Sequence, residues 1–125
     1  MAYVYDDQNI FARILRGEIP NKTVRETPHT LAFHDIHPQA PVHVLVIPKG
    51  RYVTLDHFAL EASPEEIADF TRTAGEICRE LEIASDIGQG YRAISNAGAH
   101  GLQEVPHYHM HILGGRVLGR LVEKP

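Results

Sequence analysis

From Gln103 to Gly115 the chain reads Gln103-Glu104-Val105-Pro106-His107-Tyr108-His109-Met110-His111-Ile112-Leu113-Gly114-Gly115. His107, His109 and His111 alternate with Tyr108, Met110 and Ile112, the pattern of a half-buried strand. Successive strand side chains point to opposite faces, so the imidazoles share one face and the apolar residues pack a core on the other. At about 3.3 Å per residue, neighbouring rings lie roughly 6.5 Å apart. No other stretch restricts the fold as tightly. A row of imidazoles beside a core is costly without a purpose: to bind a metal, or to bind and attack an anion such as phosphate.

The two purposes make different demands. His-x-His on a strand is a sound zinc pair, and a third histidine completes an open catalytic site. Three donors along a straight strand, however, span about 13 Å and do not converge on one ion without help. His43 is the available helper, and Glu104 is the one carboxylate near the run. The expectation is therefore no metal. Phosphate chemistry fits better, because imidazole is largely neutral near pH 7 and is then a competent nucleophile. Neighbouring rings disfavour a second positive charge on the attacker, and protonated neighbours stabilise charge developing on phosphoryl oxygens. His109, flanked on both sides, is the natural attacker.

The rest of the chain is that of an ordinary globular protein. With 125 residues, 43% hydrophobic and 22% charged, it predicts one domain over 1–125, with 1–8 a loose leader and 117–125 a short tail. A net charge of -4 gives no footprint for nucleic acid. The single cysteine, Cys78, excludes an internal disulfide and suits a reducing compartment. No apolar run approaches a membrane span and no signal pattern opens the chain. A cytoplasmic protein with neither membrane nor nucleic-acid partner is expected.

Asn9–Arg16 reads as a short helix with Ile10, Phe11, Ile14 and Leu15 in one stripe and Gly17 as the stop. Two strands follow, Thr23–Glu26 and Thr30–Asp35, joined by a Thr27-Pro28-His29 turn. Val42–Ile47, fenced by Pro41 and Pro48, reads as a central strand buried on both faces, interrupted by His43. Taken alone, His43 is a satisfied core histidine and Asp35 a residue that hydrogen-bonds its own turn. Lys49-Gly50-Arg51-Tyr52 begins a loop. Ser63-Pro64-Glu65-Glu66 supplies an N-cap, an N1 proline and a capping-box glutamate for a long helix over 64–84, whose apolar stripe includes Cys78. Tyr91–Asn96 alternates as a strand and delivers Asn96 to the loop Ala97-Gly98-Ala99-His100-Gly101-Leu102. That loop either aims backbone N–H groups at phosphate or is an ordinary glycine turn.

His107-Tyr108-His109-Met110-His111-Ile112-Leu113 fits His-φ-His-φ-His-φ-φ, the motif of the histidine triad (HIT) superfamily, and Gly114-Gly115 follows as in its Hint branch. Asn9–Pro20 and Leu31–Pro41 resemble the same branch, so the resemblance runs from about Asn9 to Arg116. It implies an α+β fold, an antiparallel sheet of about five strands with one long and one short helix. It also implies hydrolysis of purine nucleoside phosphoramidates through a nucleotidyl-histidine intermediate, without a cofactor, in a homodimer. Dinucleoside polyphosphate hydrolysis and a nucleotide-binding regulatory module with little turnover are the alternatives.

By the same resemblance, His109 is the nucleophile, His111 contacts the scissile phosphate, and His107 and His43 orient and polarise. Asp35 and Ile36 hold the nucleoside, while Asn96 and the backbone of Leu102, Gln103 and Glu104 line the phosphate and leaving group. Some relatives carry a cysteine pair near the first helix, proposed to hold zinc. This chain has Ile10 and Ala12 there and no cysteine, so no structural zinc is expected. Glu104 stands where many relatives have serine, Leu102 where a glycine is common, crowding the phosphate loop, and Pro106 where an aromatic residue is common.

Overall fold

The computed structural model describes residues 3–123. Its elements are α1 (Ile10–Leu15), β1 (Thr23–Glu26), β2 (Thr30–His34), β3 (Val42–Pro48), α2 (Leu55–Glu61), α3 (Pro64–Glu80), β4 (Tyr91–Ile94) and β5 (Met110–Gly114). The strands form one antiparallel sheet in the order β1-β2-β3-β5-β4. This is the α+β architecture expected from the sequence.

β3 is the centre of the sheet, and its alternation divides the core. Val44 and Val46 join Ala32, Tyr108 and Ile112 beneath Phe58 of α2 and Phe70, Ile77 and Cys78 of α3. Leu45 and Ile47 face the other way, onto Leu31, Phe33 and the α1 residues Phe11 and Ile14. Complete burial of Val44, Val46 and Ile47 contributes roughly 1.5–3 kcal/mol each, which makes β3 the strand least able to move. His43 lies on the α1 side of β3, in step with Leu45. β5 pairs with β3 so that His111 lies opposite Leu45, one diagonal step from His43. The sheet thus brings the fourth histidine to the triad.

α3 begins as read: Ser63 Oγ accepts the Glu66 N–H at 3.1 Å, and Glu66 Oε1 accepts the Ser63 N–H at 3.0 Å. It stops at Glu80, however, short of the expected 84. Glu82 turns left-handed at φ 60°, and the Ile83 and Ala84 N–H groups both return to the Cys78 carbonyl. Helix α2 lies where a loop was expected. Thr54 caps it, accepting the His57 N–H, and its two turns are too short for a periodic stripe to stand out.

The triad segment differs as well. Only Met110 onward is ladder-paired. Pro106 has no N–H to offer, the His107 N–H turns back to the Val105 carbonyl, and the Tyr108 N–H donates to Tyr52 O at 2.7 Å. The alternation of faces survives without the ladder, since Tyr108, Met110 and Ile112 all reach the α3-side core.

Of the segment expected as a loose leader, 1–8, residues 1 and 2 lie outside the described residues, and the rest packs against the body of the protein. Tyr3 stacks on His57 at 4.1 Å between centroids, and its hydroxyl donates to Asp56 at 2.7 Å. At the other end, Arg92 donates to the carbonyls of Gly119 and Arg120, tying part of the tail to β4. No helix among the described residues is long and apolar enough to cross a membrane.

Candidate active site

On the α1 side of the sheet lies a cavity of about 480 Å³. One part of its wall is apolar, from Phe11, Ile14, Ile19, Phe33 and Leu45; the rest carries Asp35, Asn96, Glu104, His109 and His111. Ile36, Leu102 and Gln103 also line it, so every candidate outside the two supporting histidines borders one space. His107 and His43 are buried behind it.

The proton on each ring follows from its neighbours. His107 Nε2 lies 2.8 Å from the Pro48 carbonyl oxygen, which can only accept, so Nε2 carries the hydrogen. His109 Nδ1 lies 2.7 Å from the His107 carbonyl oxygen and must likewise be the N–H, which leaves Nε2 as a free lone pair. The Gln39 N–H donates to His43 Nδ1 at 3.1 Å, so neutral His43 carries its hydrogen on Nε2. That Nε2–H donates to His111 Nδ1 at 2.9 Å, and His111 then holds its own hydrogen on Nε2. One ring facing the cavity therefore offers a lone pair and the next an N–H, with centroids 5.1 Å apart.

All four rings are held below the ordinary histidine range. Burial pushes His107 and His111 down to about 4, with charge repulsion from neighbouring imidazoles adding to it. Burial lowers His109 and His43 too, opposed in both by the Asp35 carboxylate. This corrects the expectation of protonated neighbours: near pH 7 the site is a set of neutral rings. Such rings can meet negative charge with N–H dipoles, not as imidazolium.

The remaining residues divide in a way the sequence did not reveal. Asp35 Oδ1 accepts the His37 N–H at 2.8 Å, the bond to its own turn, while Oδ2 stands 3.4 Å from His43 Nε2. Gln103 is a brace: its amide donates to Val53 O and Val105 O, and its carbonyl accepts the Gly98 N–H. The Leu102 and Gln103 backbone N–H groups donate to Ala99 O and Gly98 O. Those two N–H groups are thus taken up within the loop, while both residues line the cavity. Among the described residues the Glu104 N–H has no such internal partner.

Leu102 occupies the left-handed region at φ 57°, which explains why glycine suits this position, yet its side chain is 80% exposed and does not fill the loop. Sequence reasoning missed the apolar wall. Phe11, Ile14 and Phe33 were legible as buried, but nothing in periodicity separates the wall of a cavity from the interior of a core. It also missed Tyr5, whose hydroxyl lies 2.6 Å from His107 Nδ1.

Asp35, His43 and His111 bring ligand atoms within 4.8 Å of one another, a spacing a metal would accept. The donor set does not fit. A metal on His43 Nε2 needs the hydrogen on Nδ1, where a metal-bound histidine normally donates to an acceptor. Here Nδ1 faces the Gln39 N–H, itself a donor. The cluster is wired to share a proton.

Comparison with known proteins identifies the family. Residues 16–118 match the model of the HIT domain family. The chain is 55% identical to a 13.2 kDa HIT-like protein of Azospirillum brasilense, over 99% of each chain. It is 40% identical to the purine nucleoside phosphoramidase of Escherichia coli K12, over 93% of this chain and 94% of that protein. The crystal structure of a HIT family hydrolase from Legionella pneumophila superposes with a TM-score of 0.80 at 37% identity, covering 90% of this chain and 96% of that one.

Proposed function

This chain belongs to the HIT domain family, and on that premise we propose that it hydrolyses purine nucleoside phosphoramidates, releasing AMP or GMP from an amine. The observation that carries the reading is the fixed tautomer of His109, whose Nδ1–H is held by the His107 carbonyl while Nε2 keeps its lone pair at the cavity. The purine lies against Phe11, Ile14, Phe33 and Leu45, and Asp35 with Ile36 takes the ribose. Asn96 and the Glu104 N–H face the phosphate.

His109 Nε2 attacks phosphorus, a nitrogen–phosphorus bond forms to the ring, and the bond to the amine breaks. The amine leaves with a proton drawn from solvent, while the neutral His111 keeps its hydrogen and directs its Nε2–H at the phosphoryl group. Water then attacks the nucleotidyl-histidine, releases the nucleotide, and returns that proton. His43 holds His111 in the required tautomer throughout. Fixed N–H dipoles in a largely buried site stabilise the phosphoryl charge without reorganising.

The test is covalent. Wild-type protein quenched at alkaline pH during turnover of an adenosine phosphoramidate carries AMP on His109, located by peptide sequencing. His109→Asn binds AMP but loses turnover by several orders of magnitude, since a nucleophile is removed and the nucleotide contacts remain. Adduct on His107 or His111 reassigns the nucleophile, and full turnover by the variant rejects the mechanism. Faster turnover of diadenosine polyphosphates would make the protein a polyphosphate hydrolase, and tight AMP binding with no turnover of either would make it a binding module.

A homodimer accompanies this reading. β4 ends the sheet, and Tyr91 and Ala93 border an apolar groove of about 590 Å³ with Phe70, Ala74, Tyr108 and Met110. An open edge beside such a groove gains by pairing across a two-fold. A monomeric mass by sedimentation at micromolar concentration, with full activity, overturns it.

A further inference from the structure

The N-terminal arm reaches the catalytic strand at one point. Tyr5 packs edge-on to the His107 ring at 5.6 Å between centroids, and its hydroxyl lies 2.6 Å from Nδ1. Because Nε2 of that ring donates to the Pro48 carbonyl, Nδ1 has only its lone pair to offer, so the Tyr5 hydroxyl is the donor. His107 is completely buried, and a buried acceptor without a donor is expensive. The arm is held from outside the site. The Arg51 guanidinium sits 5.2 Å over the Tyr5 ring and pairs with Asp7 at 3.0 Å.

His107 does not border the cavity, yet its backbone carbonyl holds the Nδ1–H of His109. The orientation of the His107 ring and the direction of its carbonyl belong to one residue clamped at two ring nitrogens, Tyr5 on one side and Pro48 on the other. Phe11 closes the remaining side, edge-on to both His107 and His109. A loosened clamp would let the carbonyl swing and release the tautomer that makes His109 a nucleophile.

We propose that Tyr5 is a positioning residue for the reaction: its hydroxyl clamps His107, whose carbonyl in turn aims the His109 lone pair at the cavity. The proposal rests on the reading of His109 as the nucleophile. It makes the N-terminal arm part of the active-site framework, two residues removed from the reacting atom.

The test is Tyr5→Phe, which removes one oxygen and keeps the ring and the Arg51 contact. Turnover of an adenosine phosphoramidate is expected to fall about tenfold in kcat with KM and AMP affinity unchanged, the scale of one lost buried hydrogen bond. The nitrogen-15 resonance of His107 Nδ1 should move downfield toward that of a free acceptor. The rate at which diethyl pyrocarbonate modifies His109, read by peptide mass, should fall with it. An unmoved His107 resonance overturns the contact, and a moved resonance with unchanged kcat overturns the role. If wild-type protein fails to turn over any phosphoramidate, the functional reading falls, and the His109 modification rate still decides: a fall supports the clamp and no change rejects it. Should Tyr5→Phe not fold, Arg51→Met frees the arm from outside. It then has to show the same downfield movement and slowed modification, and their absence in a released arm rejects the proposal.

Discussion

Burial of His107 should make the stability of this protein depend on pH well above the range where carboxylates titrate. An exposed imidazole titrates near 6.5, and burial pushes His107 down to about 4 in the fold. Between those limits the unfolded chain binds a proton that the folded chain refuses, so stability rises with pH across the window and is lost as pH falls. From pH 7 to pH 5 this one group accounts for a loss of about 2 kcal/mol, at 1.36 kcal/mol per unit once the unfolded ring is protonated. His111, His109 and His43 shift in the same direction and steepen the profile. Glu66, Asp69 and Asp86 have lowered values, and their contribution disappears only as pH drops into the carboxylate range below about 5. His107→Gln separates the ring from the others. Its amide can donate to the Pro48 carbonyl and its oxygen can accept from Tyr5, but it does not titrate. Urea unfolding followed by circular dichroism at pH 7 and pH 5 should show wild-type protein losing about 2 kcal/mol more than the variant. Equal losses would refute the argument that His107 is neutral by burial, and a larger loss in the variant would reverse its sign.

Gln103→Leu breaks three hydrogen bonds that tie the loop before the triad to Val53, Val105 and Gly98. It should destabilise by about 3 kcal/mol in chemical unfolding and raise KM for nucleotide substrates. Gly115→Ala places a Cβ 2.8 Å from Pro41 in a backbone already at φ 92°, and a drop in thermal midpoint corresponding to roughly 2 kcal/mol is expected. Glu104→Ser should keep kcat within about tenfold while shifting selectivity among leaving amines. Complete loss with an intact fold would make that exposed carboxylate a required acid or base.

What was legible in the sequence was whatever a local pattern carries. Alternation over 107–112 placed the imidazoles opposite Tyr108, Met110 and Ile112. Ser63-Pro64-Glu65-Glu66 marked the start of α3, and the prolines around 42–47 marked β3. Each depends on neighbours a few residues apart. Helix α2 was missed because two turns hold too few apolar positions to show a period. The end of α3 was overrun because Leu81, Ile83 and Ala84 continue the apolar pattern after the backbone has turned at Glu82. The apolar wall of the cavity was invisible for another reason: Leu31 and Phe33 alternate identically and pack in one cluster with α1, yet only Phe33 borders the cavity.

The tautomers were the least legible feature, and they decide the chemistry. The motif supplies three rings but does not say which nitrogen of any ring holds the hydrogen. The Pro48 carbonyl, the His107 carbonyl and the Gln39 backbone N–H set it, main-chain groups whose presence does not depend on the side chain, proline at position 39 excepted. Their placement comes from β3 running antiparallel to β5, with Pro48 at one end and the Gln39 turn at the other. A strand shifted by one residue would set Ile112 or Gly114 opposite His43 in place of Leu113 and turn His109 into the α3-side core, with the same sequence and no imidazole lone pair at the cavity. The nearly complete burial of β3 from Val44 to Ile47 is what prevents that slip, so core residues such as Val44, Val46 and Ile47, which do not border the cavity, hold its proton inventory in place.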